Sequence, residues 1–509
     1  MQKMNKIISI LMLLSLTIVA IGPATIITVG GSIVHPLIAQ MAAETPDQML
    51  RVIVQKADTS SQVESLVEQL GGEVISDLYI INAIIAEISA ADAIKLGANP
   101  AVRWVSLDAA VESTSRSGDK PQPANQVSLP PNYFLETLNV QPVWDMGYHG
   151  EGIGVAVIDS GIFTDRDFSI TVGKPKIRIV AEVNLNGEKT SDEYGHGTHV
   201  AGILGGNGTA SDGFYSGIAP KVDLINLKIS DDYGMAYESD AVEALQWVLD
   251  NKAEYNIRVV NLSINTTTEG SYHNSPLDAA AEILWFNGVV VVVSSGNKGP
   301  GGGFNTANAA PANDPFVITV GASDEKGTPD RSDDMVASFS AFGSTTDGFV
   351  KPDIIAPGKD IISVLAQSSD WAINAPDRVV VENEYFRISG TSMSAPMVSA
   401  AVALLLQSEP DLTPDQVKYR LINSGSVITG NDTYLDIYAA IMGETTESAN
   451  TGILASQMLW SGDDPIAWES VAWNSVAWNS VAWNSVAWNS VAWNSVAWNS
   501  VSWSSVSWN

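Results

Sequence analysis

The chain has 509 residues, a formal net charge of −31 and no cysteine. The acidity disfavours a nucleic-acid partner, because phosphates repel an acidic surface. The missing thiols exclude disulfides, Cys-ligated zinc and cysteine nucleophiles. Hydrophobic residues at 45% and charged ones at 16% supply material for a sizeable core.

Lys3 and Lys6 precede a mostly apolar run from Ile7 to Val34. A positive start followed by an apolar stretch is the pattern of an export signal. Gly22-Pro23 and Gly30-Gly31 interrupt the run, which favours a cleaved leader over an uncleaved membrane anchor. Ala39, Ala42 and Ala43 offer small residues to a signal peptidase, so residues 1–43 read as leader and the protein as secreted.

Residues 45–112 read as a small domain. LRVIVQ (50–55) is a strand. Residues 60–72 form a helix, with Val63, Leu66, Val67 and Leu70 at helical spacing. Residues 73–89 give two strands, 90–100 a short helix and 101–108 a last strand. The order β-α-β-β-α-β is that of a ferredoxin-like α+β unit. A polar linker, 113–132, follows with four prolines and no apolar period. Exposed linkers of this kind are where proteases cut.

From 133 to 445, apolar strands alternate with helices. The strands are 152–159, 222–229, 257–264, 288–295 and 315–323; helices are expected over 239–256, 275–288 and 398–407. Near-continuous apolar strands are buried on both faces, so the expected fold is an α/β, doubly wound, mostly parallel sheet in three layers. Ligands bind such sheets at the carboxyl ends of the strands. Residues 446–465 read as a second linker. From 466 to 509 the sequence VAWNS repeats with a period of five. That period fits neither a plain helix nor a plain strand, and a short coil, an aromatic adhesive for a cell surface and a repeat without a role remain open.

Three motifs fall at element ends. VAVIDSG places Asp159 just past a buried strand. YGHGTHVAG places His196 and His199 at the start of a helix, between glycines that indicate close backbone approach. Two histidines three apart share a helical face, but no acidic residue follows at helical spacing to complete a metal site. SGTSMSAP (389–396) offers four hydroxyls, Ser389, Thr391, Ser392 and Ser394, at a strand-to-helix turn. Spacing alone does not select the nucleophile among them. Pro396 lacks the N–H that would return to the Ser392 carbonyl. Asn297, after a buried strand and a glycine, offers an amide to a developing oxyanion. An Asp, a His and a hydroxyl in this chain order are the parts of a hydrolytic triad. A single Asp-Ser-Gly loop does not supply the two carboxylates of an aspartic protease.

VAVIDSG, GHGTHVAG, SGN after an apolar strand and GTSMSAPMVSA together resemble the subtilisin-like serine proteases. The resemblance extends through PANDPFVITVGASD, KPDIIAPG and LTPDQVKYRLINSG, over about residues 133–445. It implies that Asp159 orients His196, that His196 is general base and acid, and that Ser392 is the nucleophile. It implies an oxyanion hole of Asn297 and the Ser392 N–H, with His199 non-catalytic. Ser263, Ile264, Asn265, Ser295 and Gly296 fall where that family binds substrate. The family usually reads Ser-Leu-Gly where this chain has Ser263-Ile264-Asn265. The small domain resembles the family's propeptide, a chaperone and inhibitor of its own enzyme, which implies self-cleavage in 113–132. The resemblance implies polypeptide substrates, a monomer and no cofactor for chemistry. GGNGTASDGFYSGIAP (205–220) lacks the family's typical calcium-loop sequence, which leaves a structural calcium open and without assigned ligands. The rival expectation is an inactive surface-binding protein that keeps a protease scaffold and adheres through its Trp-rich tail.

Overall fold

The computed structural model describes residues 33–113, 129–170, 176–186, 189–299, 305–381, 383–428 and 433–460. The expected repeat tail, most of the first linker and the first part of the leader lie outside them.

The small domain begins earlier than its sequence suggests. Helix α1 (Pro36–Glu44) starts on a proline and is capped by His35, whose Nδ1 accepts from the Leu37 N–H. β1 (Met49–Lys56), α2 (Gln62–Gln69), β2 (Glu73–Leu78), β3 (Ala83–Ser89), α3 (Ala90–Gly97) and β4 (Val102–Leu107) follow in the expected order. The sheet order is β2-β3-β1-β4, antiparallel throughout. Residues 33–35 lie along β4: His35 N–H donates to Val105 and Val105 N–H to Ile33. Val34 and Ile38 are buried in the domain's own core with Val52, Val54, Ile84 and Ile88. Residues 33–43 therefore pack as part of the small domain, where the sequence reads as the end of a leader. A leader and a buried edge share apolar composition, and composition alone does not separate them.

Strand alternation splits the small sheet into two faces. Val52 and Val54 of β1 face the domain's own helices, whereas Ile53 joins the core of the large domain, with Ile81, Ile85 and Trp104. A further strand, β5 (Ala110–Ser113), leaves the small domain altogether and pairs elsewhere.

The large domain is built on seven parallel strands. In chain order these are β6 (Gly154–Asp159), β7 (Ile179–Asn184), β8 (Asp223–Lys228), β10 (Ile257–Leu262), β12 (Val290–Ser294), β13 (Ile318–Asp324) and β14 (Ile354–Pro357). Between them lie short strands β9 (Met235–Tyr237) and β11 (Ile264–Thr266). Within a ten-stranded sheet their order is β14-β13-β12-β10-β6-β8-β7. Every pair among these seven is parallel. Helices α4 (His196–Gly205), α5 (Glu238–Asn251), α6 (Pro276–Phe286) and α7 (Thr391–Ser408) cover the faces. The chain crosses from one side of β6 to the other, so the end of β6 is the switch point where such sheets place a site.

Helix α7 starts at Thr391, seven residues before its expected start at 398. Small polar residues and Pro396 weaken the local helix signal, but Thr391 to Leu406 is buried throughout and tertiary packing overrides propensity. Pro396 leaves the Ser392 carbonyl without its helical donor, and the Ser263 hydroxyl donates to it instead, at 3.2 Å.

Candidate active site

Asp159 is the last residue of β6 and His196 the first of α4. The two meet because α4 lies hard against the end of β6: a Cβ on Gly197 would fall 2.2 Å from the Gly161 carbonyl. His196 Nδ1 lies 2.6 Å from Asp159 Oδ1. A carboxylate only accepts, so Nδ1 carries the proton and Nε2 the lone pair. Both residues are buried, and Nε2 accepts no hydrogen bond in this state.

Ser392 stands in the first turn of α7, where a helix directs N–H groups outward from its end. Its hydroxyl donates to the Ser263 carbonyl at 3.2 Å. The neighbouring hydroxyls have other tasks. Thr391 donates both its N–H and its hydroxyl to Asn297 Oδ1, at 3.0 and 3.2 Å. Thr391 Oγ1 in turn accepts from the Gly296 N–H. These bonds occupy the oxygen of the Asn297 amide and turn its NH2 end the other way. Ser389 accepts from the Asp360 N–H, and Ser394 donates to the Pro357 carbonyl.

Sequence reading missed Asp192, which is fully buried beside the start of α4. Its carboxylate accepts from the Gly195 N–H, the Thr198 N–H, the Thr198 hydroxyl and the Ser160 hydroxyl, all within 2.8 Å. Ser160 accepts from the Gly197 N–H. One carboxylate thus fixes both the His196 helix and the residue after Asp159. Burial pushes the Asp192 carboxyl above its usual range, and its four donors pull it back. Asp192 lies in an irregular loop, where no period marks it.

Trp371 was missed as well. It sits in a short helix, Asp370–Asn374, and its ring meets His196 edge-on at 5.6 Å and His199 at 6.1 Å. His199 is walled in: burial lowers its pKa to about 3, and its Nε2 donates to the Phe386 carbonyl. A neutral, hydrogen-bonded His199 is a packing residue, and the two histidines share no ligand. Among the described residues no group of three His, Asp or Glu side chains is placed to hold a metal ion.

Of the residues expected to bind substrate, Ile264 and Asn265 lie in β11, whereas Ser295 and Gly296 follow β12. β11 begins at Ile264, directly after Ser263, and pairs antiparallel with β5, which pairs on its other side with β9. Residues 110–113 therefore lie as the middle strand of three. Val111 and Ser113 line a cavity together with Asp159, Tyr194, Ala236 and Ile264. The Asn265 amide donates to the Ser294 carbonyl, and its Oδ1 is buried against Gly296. Asn265 thus fills space between β11 and the turn after β12 that a glycine would leave open. Ser295 is buried, and its N–H donates to Val320.

A model of the Subtilase family matches residues 150–454, more than half of the chain. The chain belongs to the Subtilase family. Membership makes it a serine endopeptidase by class. The subtilase is 36% identical over 311 residues to serine protease AprX of Bacillus subtilis strain 168, a match covering 60% of this chain and 66% of AprX. It is 28% identical over 379 residues to subtilisin E of the same strain, covering 74% and 84%. Its fold matches the crystal structure of fervidolysin from Fervidobacterium pennivorans, a keratinolytic enzyme related to subtilisin. That match has a TM-score of 0.59 at 24% identity and covers 80% of this chain and 63% of fervidolysin. The expected α/β fold with a mostly parallel central sheet is the fold found.

Proposed function

We propose that this subtilase is a secreted endopeptidase made as a zymogen, cleaving polypeptides through an acyl-enzyme on Ser392. The observation that carries the reading is the Asp159–His196 hydrogen bond, which leaves the Nε2 lone pair available at the strand ends where α7 presents Ser392. The Ser392 hydroxyl turns from the Ser263 carbonyl to Nε2. Nε2 takes the hydroxyl proton as Oγ bonds to the substrate carbonyl carbon. The Asn297 NH2 and the Ser392 N–H receive the oxyanion. His196 then gives the proton to the leaving amine, and a water repeats the sequence to release the acid. The chemistry of this reading calls for no metal or cofactor, and it assigns no ligands to a structural calcium.

Substrate is read as an extended strand between β9 and β11, as residues 110–113 lie. That placement supports reading the small domain as an inhibitor whose last strand fills the cleft. Self-cleavage in the linker after Ser113, action as a monomer and cell-surface contact through the tail belong to the same reading. Export rests on the leader-like sequence before Ile33.

Ser392→Ala tests the reading. Turnover should fall by about 10⁶-fold, the cost of removing a nucleophile that acts as a unit with its base. The chain should stay unprocessed, and fluorophosphonate should label the wild type alone. A Ser392→Ala chain that matures and cleaves casein normally sinks the assignment. A wild type that fluorophosphonate does not label favours the inactive surface-binding protein.

A further inference from the structure

Residues 446–460 read as linker, yet the structure runs them back across the molecule. The Ala449 N–H donates to the Asp415 carbonyl, and Asn450 bonds Asp415 and the Phe316 carbonyl. The Tyr272 hydroxyl holds the Leu454 carbonyl. The Ser456 N–H donates to both carboxylate oxygens of Glu282, at 3.1 and 2.8 Å, and the Gln457 N–H to His273. All these anchors belong to the large domain.

The carbonyls of residues 457–459 are held from the other side. Gln55 of β1 donates to the Met458 carbonyl at 2.6 Å. Arg103 of β4 spreads its guanidinium over two carbonyls, Gln457 at 2.6 Å and Leu459 at 3.1 Å. Met458 and Leu459 are 1% and 2% exposed. They share a core with Ile53, Ile81, Ile85 and Trp104 of the small domain. Gln55 is informative because it is fully buried between apolar neighbours, where an amide is costly unless bonded. Its NH2 bonds the Ile81 carbonyl within its own domain and Met458 outside it, while its buried Oε1 accepts no hydrogen bond. The docking face is therefore built partly for this segment.

We propose that residues 453–460 form a strap that fastens the small domain to the catalytic domain, so that its bonds to Gln55 and Arg103 slow release of the inhibitor. This rests on the inhibitor reading above. Departure of the small domain removes three donors from the strap carbonyls and uncovers Met458 and Leu459.

The test uses the full chain with Arg103→Ala, and Arg103→Lys to keep the charge without the fork. In chains that also carry Ser392→Ala, hydrogen exchange over 453–460 should quicken by about 10²-fold or more with Arg103→Ala, the size expected for losing two charge-assisted bonds. In chains that keep Ser392, the lag before peptidase activity should shorten by a similar factor. Arg103→Lys should fall between, and the matured enzyme, which lacks Arg103, should keep its wild-type kcat/KM. Equal exchange and equal lag in wild type and Arg103→Ala overturn the strap. So does a strap that stays protected in matured enzyme. A wild type that is active without any lag overturns the inhibitor reading instead, and the role in release with it.

Discussion

Two helices begin at the active site, and their first turns are held in opposite ways. The start of α4, which carries His196, is closed by a carboxylate: Asp192 accepts from Gly195 and Thr198. The start of α7, which carries Ser392, has no acid in its first turn and meets a neutral amide, the Asn297 oxygen on the Thr391 N–H. A helix start carries partial positive charge, which an anion cancels and an amide leaves largely in place. The difference matches the charges the two residues develop. In the mechanism proposed above His196 becomes a cation, and an anion at its helix start suits it. In the same proposal attack by Ser392 generates an oxyanion, and the field of α7 stays available to meet it. A third helix start, that of α5, has a borrowed carboxylate: Asp108 of the small domain accepts from the Ser239 N–H and hydroxyl.

The largest effect should come from α7. Asn297→Ala removes the proposed oxyanion donor and should lower kcat by about 10²–10³ with little change in KM. Asn297→Asp sharpens the point, because it places an anion where the amide stood. It should be at least as slow as the alanine variant in a steady-state peptide assay. An aspartate variant near wild-type rate would remove the contrast between the two helices.

A smaller effect is expected at α4. Asp192→Asn turns an NH2 toward donors that only the carboxylate accepts. Stability should fall by about 1.5–3 kcal/mol, read from the urea midpoint. Turnover should fall about tenfold, as expected for a 1.4 kcal/mol loss of support to the imidazolium. Unchanged turnover with a lowered midpoint would make Asp192 a fold residue with no part in charge balance.

Those two residues also mark where sequence stops informing. The parallel strands were legible because burial on both faces writes continuous apolar runs such as VVVVV at 289–293. The small domain was legible because its strands and helices change period. Asp159, His196, Ser392 and Asn297 stand beside glycines in dense motifs, and the structure brings Asp159 to His196 and Thr391, next to Ser392, to Asn297. Asp192, Trp371 and the strap lie in irregular chain. Their work depends on what approaches them in space, such as the starts of α4 or the face of β1, and local sequence carries no mark of that. Residues 33–44 were hidden differently, since an apolar edge packed on α3 has the same composition as the apolar sequence before it.

The smallest effect is expected at α5, where the borrowed cap is sensitive to pH. Burial pushes the Glu238 carboxyl up to about 8 and the Asp240 carboxyl up to about 6, and Asp108 adds to both. Asp108 is raised by burial too, with Arg51 opposing. The part of these shifts that docking causes, through Asp108 and the cover of the small domain, lets the docked state hold protons that the separated domains release nearer the ordinary carboxylate pKa of ~4. The docked state therefore binds more protons between about pH 4 and pH 8, and docking weakens as pH rises through that window. Arg51, on Asp108 and within reach of Asp240, limits the swing. Loss of the small domain after processing should quicken a few-fold from pH 5 to pH 8, followed by gel or by the lag in activity. Glu238→Gln, which keeps an acceptor for the Leu277 N–H but cannot ionise, should flatten the profile. A release rate that is flat in wild type, or that falls as pH rises, would show that the cap on α5 is carried by Arg51 and Asp108 as a fixed ion pair, and that the borrowed helix start behaves like the permanent one at α4.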